Sequence, residues 1–363
     1  VGEVQAAAIL IRALQSEYPQ VPVLVTTGTI TGAARVRALF GDAVRHCYLP
    51  YDLPGATNRF LQRTNPRALI VLETELWPVL FRACLRRQLP VLLVSARLSA
   101  TSVRRYRKVG DLFTYVIARS TVVAQTKADA ERFRTLGATQ VEVSGNIKFD
   151  LRVAAETMQA GKALRSSIGI DRPTWVAGST HEGEEAAALA AHALVLKNSP
   201  TAVLVLVPRH PQRFDAVRLR LVSQGVSFVT RSSGAPLTSD HTVLLVDTLG
   251  ELLAFYAASD VAFVGGSLVP IGGHNLLEPA ALGLPVVTGP HNFNAAEIAK
   301  LFIERNATII VKNGAELGRA VSELLHNASQ RHELAKQASQ IVEENRGALE
   351  KVMQVIRGEV SGD

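Results

Sequence analysis

Short apolar runs alternate with helical stretches along the whole chain, and this rhythm constrains its fold more than any other feature. Residues 21–27, 46–50, 68–72, 90–97, 122–125 and 141–144 read as strands in the first half. The second half repeats the pattern from Trp175, with runs at 202–208, 242–246, 261–264 and 285–288. Apolar runs of this length between helices predict parallel sheets covered by helices on both faces. Ligands of such sheets sit beyond the carboxyl ends of the strands. At 363 residues the chain exceeds one ordinary core, so two domains are expected. A charged, alanine-rich stretch after Gly145-Asn-Ile-Lys-Phe-Asp150 and the turn Asp171-Arg-Pro-Thr mark the junction. The first domain is placed at 1–155 and the second at 156–363, with terminal helices free to pack back on the first.

The stretch from Val261 to Pro290 carries the strongest ligand signal. It reads as strand, glycine loop, helix, strand. Gly265, Gly266, Gly272 and Gly273 let backbone approach a ligand closely, and Asn275 is a fair helix cap. Amides at a helix start favour an anion, above all phosphate. Glu278, one turn on, is placed to accept hydrogen bonds from sugar hydroxyls. The plainer reading is an ordinary tight turn between strand and helix.

The remaining candidates lie at strand ends. Glu73-Thr-Glu75 puts two carboxylates directly after a buried run, either facing a ligand or pairing with nearby cations. Glu3, in a loop feeding the first helix, is either a general base or a residue that offsets the helix dipole. Lys148 and Arg209 follow strands and are suited to a leaving phosphate, or else are surface charges. Arg209 is favoured over Arg213 for being closer to its strand. His210 and His274 read as polar loop residues near a ligand, since neither has metal-ligand spacing. Cys47 and Cys84 stand far apart without a clustered partner, which argues for a reducing compartment and against a metal site or disulfide framework.

A net charge of +7 points to an acidic partner. Aromatic residues are only 6% and do not interleave with basic ones, so nucleic acid is not expected. The run Ser95-Ala-Arg97-Leu-Ser to Lys108 is basic and hydroxyl-rich, either a solvated helix face or a contact for lipid phosphates.

In order and spacing, seven landmarks resemble the 3-deoxy-D-manno-octulosonic acid (Kdo) transferases, which add Kdo to the lipid A precursor. They are Val1-Gly-Glu, Tyr48-Leu-Pro-Tyr-Asp-Leu-Pro, Glu73-Thr-Glu-Leu-Trp-Pro, Ser95-Ala-Arg-Leu-Ser, Gly145-Asn-Ile-Lys-Phe-Asp, Val207-Pro-Arg-His-Pro-Gln-Arg-Phe, and Gly265-Gly-Ser with Gly272-Gly-His-Asn-Leu-Leu-Glu-Pro. The resemblance spans essentially the whole chain. It implies an α/β GT-B glycosyltransferase fold: two Rossmann-like domains facing across a cleft, the first for the acceptor and the second for CMP-Kdo. Glu3 then matches the base that deprotonates the acceptor hydroxyl, while Glu73 and Lys148 match positions that stabilise the transition state. The matches for CMP are Pro208, Arg209, Gly250, Glu251, Leu252, Asn275, Leu276, Leu277 and Glu278. CMP-Kdo is a substrate, so no cofactor and no metal are implied.

The resemblance also implies a single inverting displacement at the cytoplasmic face of a bacterial inner membrane. The expected partners are CMP-Kdo, a lipid A precursor and an anionic membrane surface. Family members carry an N-terminal hydrophobic segment and a first strand ahead of Val-Gly-Glu that this sequence lacks, so the first sheet is expected to miss a central strand. A sugar-nucleotide epimerase of the same fold would keep the glycine loop and Glu278 without a lipid-facing surface. A non-catalytic acidic-lipid binder would have no use for the strand-end carboxylates. A nicotinamide dehydrogenase is disfavoured, since no GxGxxG follows a first strand.

Overall fold

The computed structural model describes residues 2–109 and 111–360. It divides into two compact units, one of residues up to Asp150 plus those from Asn345 onward, the other Leu151–Glu344. The sequence reading ends the first domain at 155; in the structure the change comes at Asp150, where the turn Ile147–Asp150 closes the first unit. The last helix, Ala348–Val360, groups with the first unit.

In the first unit the strands are β1 (Leu24–Thr27), β2 (Arg45–Tyr48), β3 (Leu69–Leu72), β4 (Val91–Ala96), β5 (Thr121–Ala124) and β6 (Gln140–Val143). They form two parallel sheets rather than one, β1-β2 and β3-β4-β5-β6. The break falls between β1 and β3, where the order of a doubly wound sheet reverses. Side chains alternate across β4: Val91 and Leu93 face the cluster of Phe81, Ile117 and Phe133, while Leu92 and Val94 face Leu10, Val352 and Ile356. The helices Gly2–Glu17 and Ala348–Val360 thus cover one face. At Ser95 the register shifts, with φ at +49°, and Ala96 returns to the side of Leu93.

The second unit holds β7 (Thr174–Thr180), β8 (Val203–Pro208), β9 (Phe228–Thr230), β10 (Val243–Leu245), β11 (Val261–Val264), β12 (Val286–Thr288) and β13 (Thr308–Ile310). All are parallel, in the order β13-β12-β11-β7-β8-β10-β9. The first strand lies at the centre and the order reverses between β7 and β11, the switch point where such sheets bind ligands. Trp175, Leu204, Leu206 and Phe263 pack on one face; Val176, Val205, Phe255 and Tyr256 pack on the other. Every strand expected from the apolar runs is present. The two not expected, β9 and β13, are three-residue strands at the sheet's edges, only partly buried, and so need no long apolar run. Among the described residues, no helix is long and apolar enough to cross a membrane.

Asp150 fastens the last helix to the first unit. Its carboxylate accepts the N–H groups of Gly347 at 2.7 Å and Leu349 at 2.8 Å, capping the helix from outside. Asp150→Ala is therefore expected to cost about 1–2 kcal/mol. Amide hydrogen exchange should show faster opening of residues 348–360, and unchanged protection there would refute this anchoring role.

Candidate active site

In the first unit, the catalytic candidates are set by the end of β3 and two turns. Glu73 follows β3 with φ at +62° and is 7% exposed. A glutamate in the left-handed region is held there only by its surroundings. Here the Glu73 N–H donates to the Val94 carbonyl and the Glu73 carboxylate meets the Lys148 ammonium at 2.6 Å. Lys148 is itself placed by its turn, in which the Asn146 side chain accepts the Lys148 N–H at 3.0 Å. Glu75 accepts the indole N–H of Trp77 at 2.9 Å. Asp52 caps the next helix, Pro78–Leu85, through the N–H groups of Val79 and Leu80.

Glu3 lies not in a loop but in the first turn of the helix Gly2–Glu17, while its landmark neighbour Val1 is outside the described residues. Its side chain reaches solvent, yet burial by surrounding protein raises its carboxyl above the ordinary value. The charges of Glu75 and Glu73 add to that rise, and Lys148 opposes it. The structure therefore gathers Glu3, Glu73, Glu75 and Lys148 into one electrostatically coupled group.

In the second unit the glycine loop after β11 binds an anion, but the anion is the protein's own. Glu184, fully buried, accepts the N–H groups of Gly266 (2.6 Å), Ser267 (2.9 Å) and Leu268 (2.9 Å). A fourth N–H comes from His181 at 2.9 Å, and Glu184 returns its own N–H to the His181 carbonyl. Glu184 is not among the site residues expected from the sequence. Its signal was His181-Glu-Gly-Glu184 at a strand-to-helix junction, the spacing of a capping box. The β11 end packs so tightly on β7 that a Cβ at Gly265 would lie 2.7 Å from the Ser179 carbonyl.

Beyond the loop, the helix is short, Leu277–Ala281, with Leu276 in the cap position. Asn275 caps it from one residue earlier, accepting the Leu277 N–H at 3.1 Å. Five residues sum to little macrodipole, so the expected anion preference of this helix start is weakened. Leu276 and Leu277 are buried in the core and reach a ligand only through backbone. Glu278 is half-buried beside Tyr256, whose hydroxyl stays well above its ordinary range through burial and then the Glu278 charge. Asn275 donates to the Glu278 carboxylate at 3.3 Å.

Arg209 follows Pro208, the last residue of β8, and its guanidinium forms no ion pair among the described residues. Arg213 is occupied: it donates to buried Glu185 at 3.0 and 3.2 Å and to Glu182 at 3.1 Å. Gly250, Glu251 and Leu252 lie at the start of the helix Leu252–Ala257, and Gly250 and Glu251 line a cavity of about 550 Å³ walled also by Arg231 and the helix Ala155–Ile168. The Glu251 carboxylate is held by Arg231 at 2.9 Å and by the Thr248 hydroxyl, and this pairing lowers its proton affinity. Among the described residues no group of three His, Cys, Asp or Glu side chains is placed to hold a metal ion.

Two families match this chain in succession: "3-Deoxy-D-manno-octulosonic-acid transferase (kdotransferase)" over residues 1–151 and "Glycosyl transferases group 1" over residues 171–341. A 3-deoxy-D-manno-octulosonic acid transferase from Haemophilus influenzae is 42% identical over 98% of this chain and 84% of its own length. The chain belongs to the Kdo transferase family. It is a glycosyltransferase. The C-terminal CMP-Kdo binding domain of WaaA from Acinetobacter baumannii matches over 52% of this chain and 99% of that domain, at 34% identity and a TM-score of 0.50. A putative UDP-N-acetylglucosamine 2-epimerase from Listeria monocytogenes covers 98% of the chain and 93% of its own at a TM-score of 0.59, but only 17% identity. That likeness shows the GT-B fold alone and does not favour the epimerase alternative.

For this Kdo transferase family member, Glu184 is expected to determine the shape of the loop. Glu184→Ala leaves four N–H groups without their acceptor, at a cost of about 3–5 kcal/mol. Denaturant unfolding of the second unit should show it; a loss under about 1 kcal/mol would mean the loop does not depend on this carboxylate.

Proposed function

We propose that this chain transfers Kdo from CMP-Kdo to a hydroxyl of a lipid A precursor by one inverting displacement. The observation that carries the reading is the coupled group of Glu3, Glu73, Glu75 and Lys148, in a chain 42% identical to a Kdo transferase. The Glu3 carboxylate removes the proton from the acceptor hydroxyl as its oxygen bonds to the anomeric carbon of Kdo. The bond from that carbon to the phosphate oxygen breaks, and CMP leaves with the electron pair. A carboxyl raised above its ordinary value by burial and by the Glu75 and Glu73 charges is a stronger base than a free glutamate. Lys148, already paired with Glu73, keeps further N–H donors for oxygens that gain charge in the transition state.

The second unit is read as the donor unit. Arg209 offers an unpaired guanidinium for the phosphate, and Glu278 a carboxylate for the ribose hydroxyls. Gly250, Glu251, Leu252 and the backbone of Asn275 to Leu277 complete the CMP contacts. No cofactor takes part in this scheme. The membrane surface is assigned to the helix Ala100–Val109: Arg104, Arg105, Arg107 and Lys108 are exposed and form no ion pairs among the described residues, while Val103 is buried. Such a face fits the cytoplasmic side of an anionic inner membrane.

Mass spectrometry of a lipid A precursor incubated with CMP-Kdo should show added Kdo and released CMP; no consumption of CMP-Kdo would overturn the reading. Glu3→Gln should lower kcat by about 10²- to 10⁴-fold with CMP affinity unchanged, and retained turnover would move the base elsewhere. Because the Glu75 charge raises the Glu3 carboxyl, Glu75→Gln should lower it. A base works only when deprotonated, so the acid limb of kcat/KM should shift to lower pH. A limb that stays put would show that Glu3 does not set it.

A further inference from the structure

Three imidazoles gather where the second sheet reverses, and the scheme above uses none of them. His181 follows β7, His210 follows β8 and His274 lies in the loop after β11. The Nε2 atoms of His181 and His274 are 2.9 Å apart. Their planes differ by 11° with centroids 5.1 Å apart, so the rings lie side by side and one N–H points along the other's lone pair. His210 stands edge-on to His181 at 5.2 Å.

This bond ties the two tautomers together. In a neutral pair, the ring that donates from Nε2 has a lone pair at Nδ1, and the ring that accepts at Nε2 carries its proton at Nδ1. The pair therefore ends in one N–H and one lone pair at its outer Nδ1 atoms. Neither outer atom has a hydrogen-bond partner among the described residues. Burial, then Arg209, pushes His274 down to about 3, and burial also lowers His181 and His210, so the rings are uncharged at neutral pH. Backbone features converge on the pair. Gly266 has φ at +69°, and a Cβ there would lie 2.9 Å from the His274 ring. Ser179 has φ at +56° where β7 shifts register, which aims the chain toward His181, and Glu184 holds the His181 N–H.

We propose that the His181–His274 pair is an oxyanion-recognition subsite for the activated sugar acid, its outer N–H donating to an acidic oxygen of the donor while Arg209 balances the charge. The inference rests on reading the second unit as the donor unit. CMP-Kdo presents two such groups, the phosphodiester and the carboxylate on the anomeric carbon, and both offer the same acceptor chemistry. A neutral, directional donor beside Arg209 selects the position of an oxygen without adding a further positive charge to hold back the CMP product.

Amide substitutions separate recognition from mere packing, because a Gln amide falls near the Nε2 of the histidine it replaces and an Asn amide near the Nδ1. In the full chain, His181→Gln and His274→Gln keep the contact between the two side chains but remove the outer donor. His181→Asn and His274→Asn break the contact but keep an outer N–H. The site with the proton-bearing Nδ1 is expected to lose roughly ten- to hundredfold in donor affinity as Gln, and distinctly less as Asn. The readouts are titration calorimetry with CMP and the KM for CMP-Kdo. A loss shared by CMP and CMP-Kdo assigns the phosphate; a loss confined to CMP-Kdo assigns the carboxylate. Wild-type constants for both Gln variants, or Asn variants weaker than Gln at both positions, would overturn the subsite. Failure of the unsubstituted chain to bind CMP would instead overturn the donor reading beneath it.

Discussion

Four backbone N–H groups converge on one buried carboxylate, Glu184, and the shape of the glycine loop after β11 depends on that convergence. An ionised group in an apolar interior is expensive unless its oxygens are fully hydrogen-bonded. Amides of a glycine loop are equally costly if left dry. Each requirement meets the other, so the loop after β11 and the turn after β7 form one unit rather than two mobile segments. The same device recurs with Asp52 on the helix Pro78–Leu85, with Asp129 accepting the Leu98 N–H at 3.0 Å, and with Asp150 on the last helix. Several of the landmark motifs are therefore places where a carboxylate fixes backbone, and only some of their polar residues are left over for chemistry.

The candidate groups of the two units differ in their local chemistry, one built from carboxylates and a lysine, the other from imidazoles and an arginine. In the first unit, burial and then the charges of Glu75 and Glu73 raise the Glu3 carboxyl above its ordinary value, while Lys148 opposes the rise. In the second unit, burial lowers the proton affinity of His181 and His274 beside Arg209, which forms no ion pair among the described residues, while Arg213 pairs with Glu185 and Glu182. Among the described residues, two of the six non-glycine positions with positive φ lie at these groups, Glu73 at the end of β3 and Ser179 at the end of β7.

The strand pattern was legible because buried parallel strands must be apolar throughout, as β4, β7, β8 and β11 are. Edge strands such as β9 and β13 escape that requirement, so they left no run to read. Carboxylates at strand ends were legible as candidates for the same topological reason. Glu184 was not, since an acid in the first turn of a helix is commonplace and nothing local shows that three of its partners lie more than 80 residues away. His181 escaped for a like reason: its partner His274 is 93 residues on.

The amino-acid sequence by itself determined the α/β architecture, the order of the strands along the chain and the residue types at their ends, because apolar periodicity and chain order are local properties. The tertiary structure decided which of those end residues meet. It set Lys148 on Glu73, gave the loop amides to Glu184 in place of a ligand, and brought His181 to His274. Those pairings follow from strands far apart in sequence becoming neighbours in a sheet. Only the register of that sheet says which side chains share a switch point.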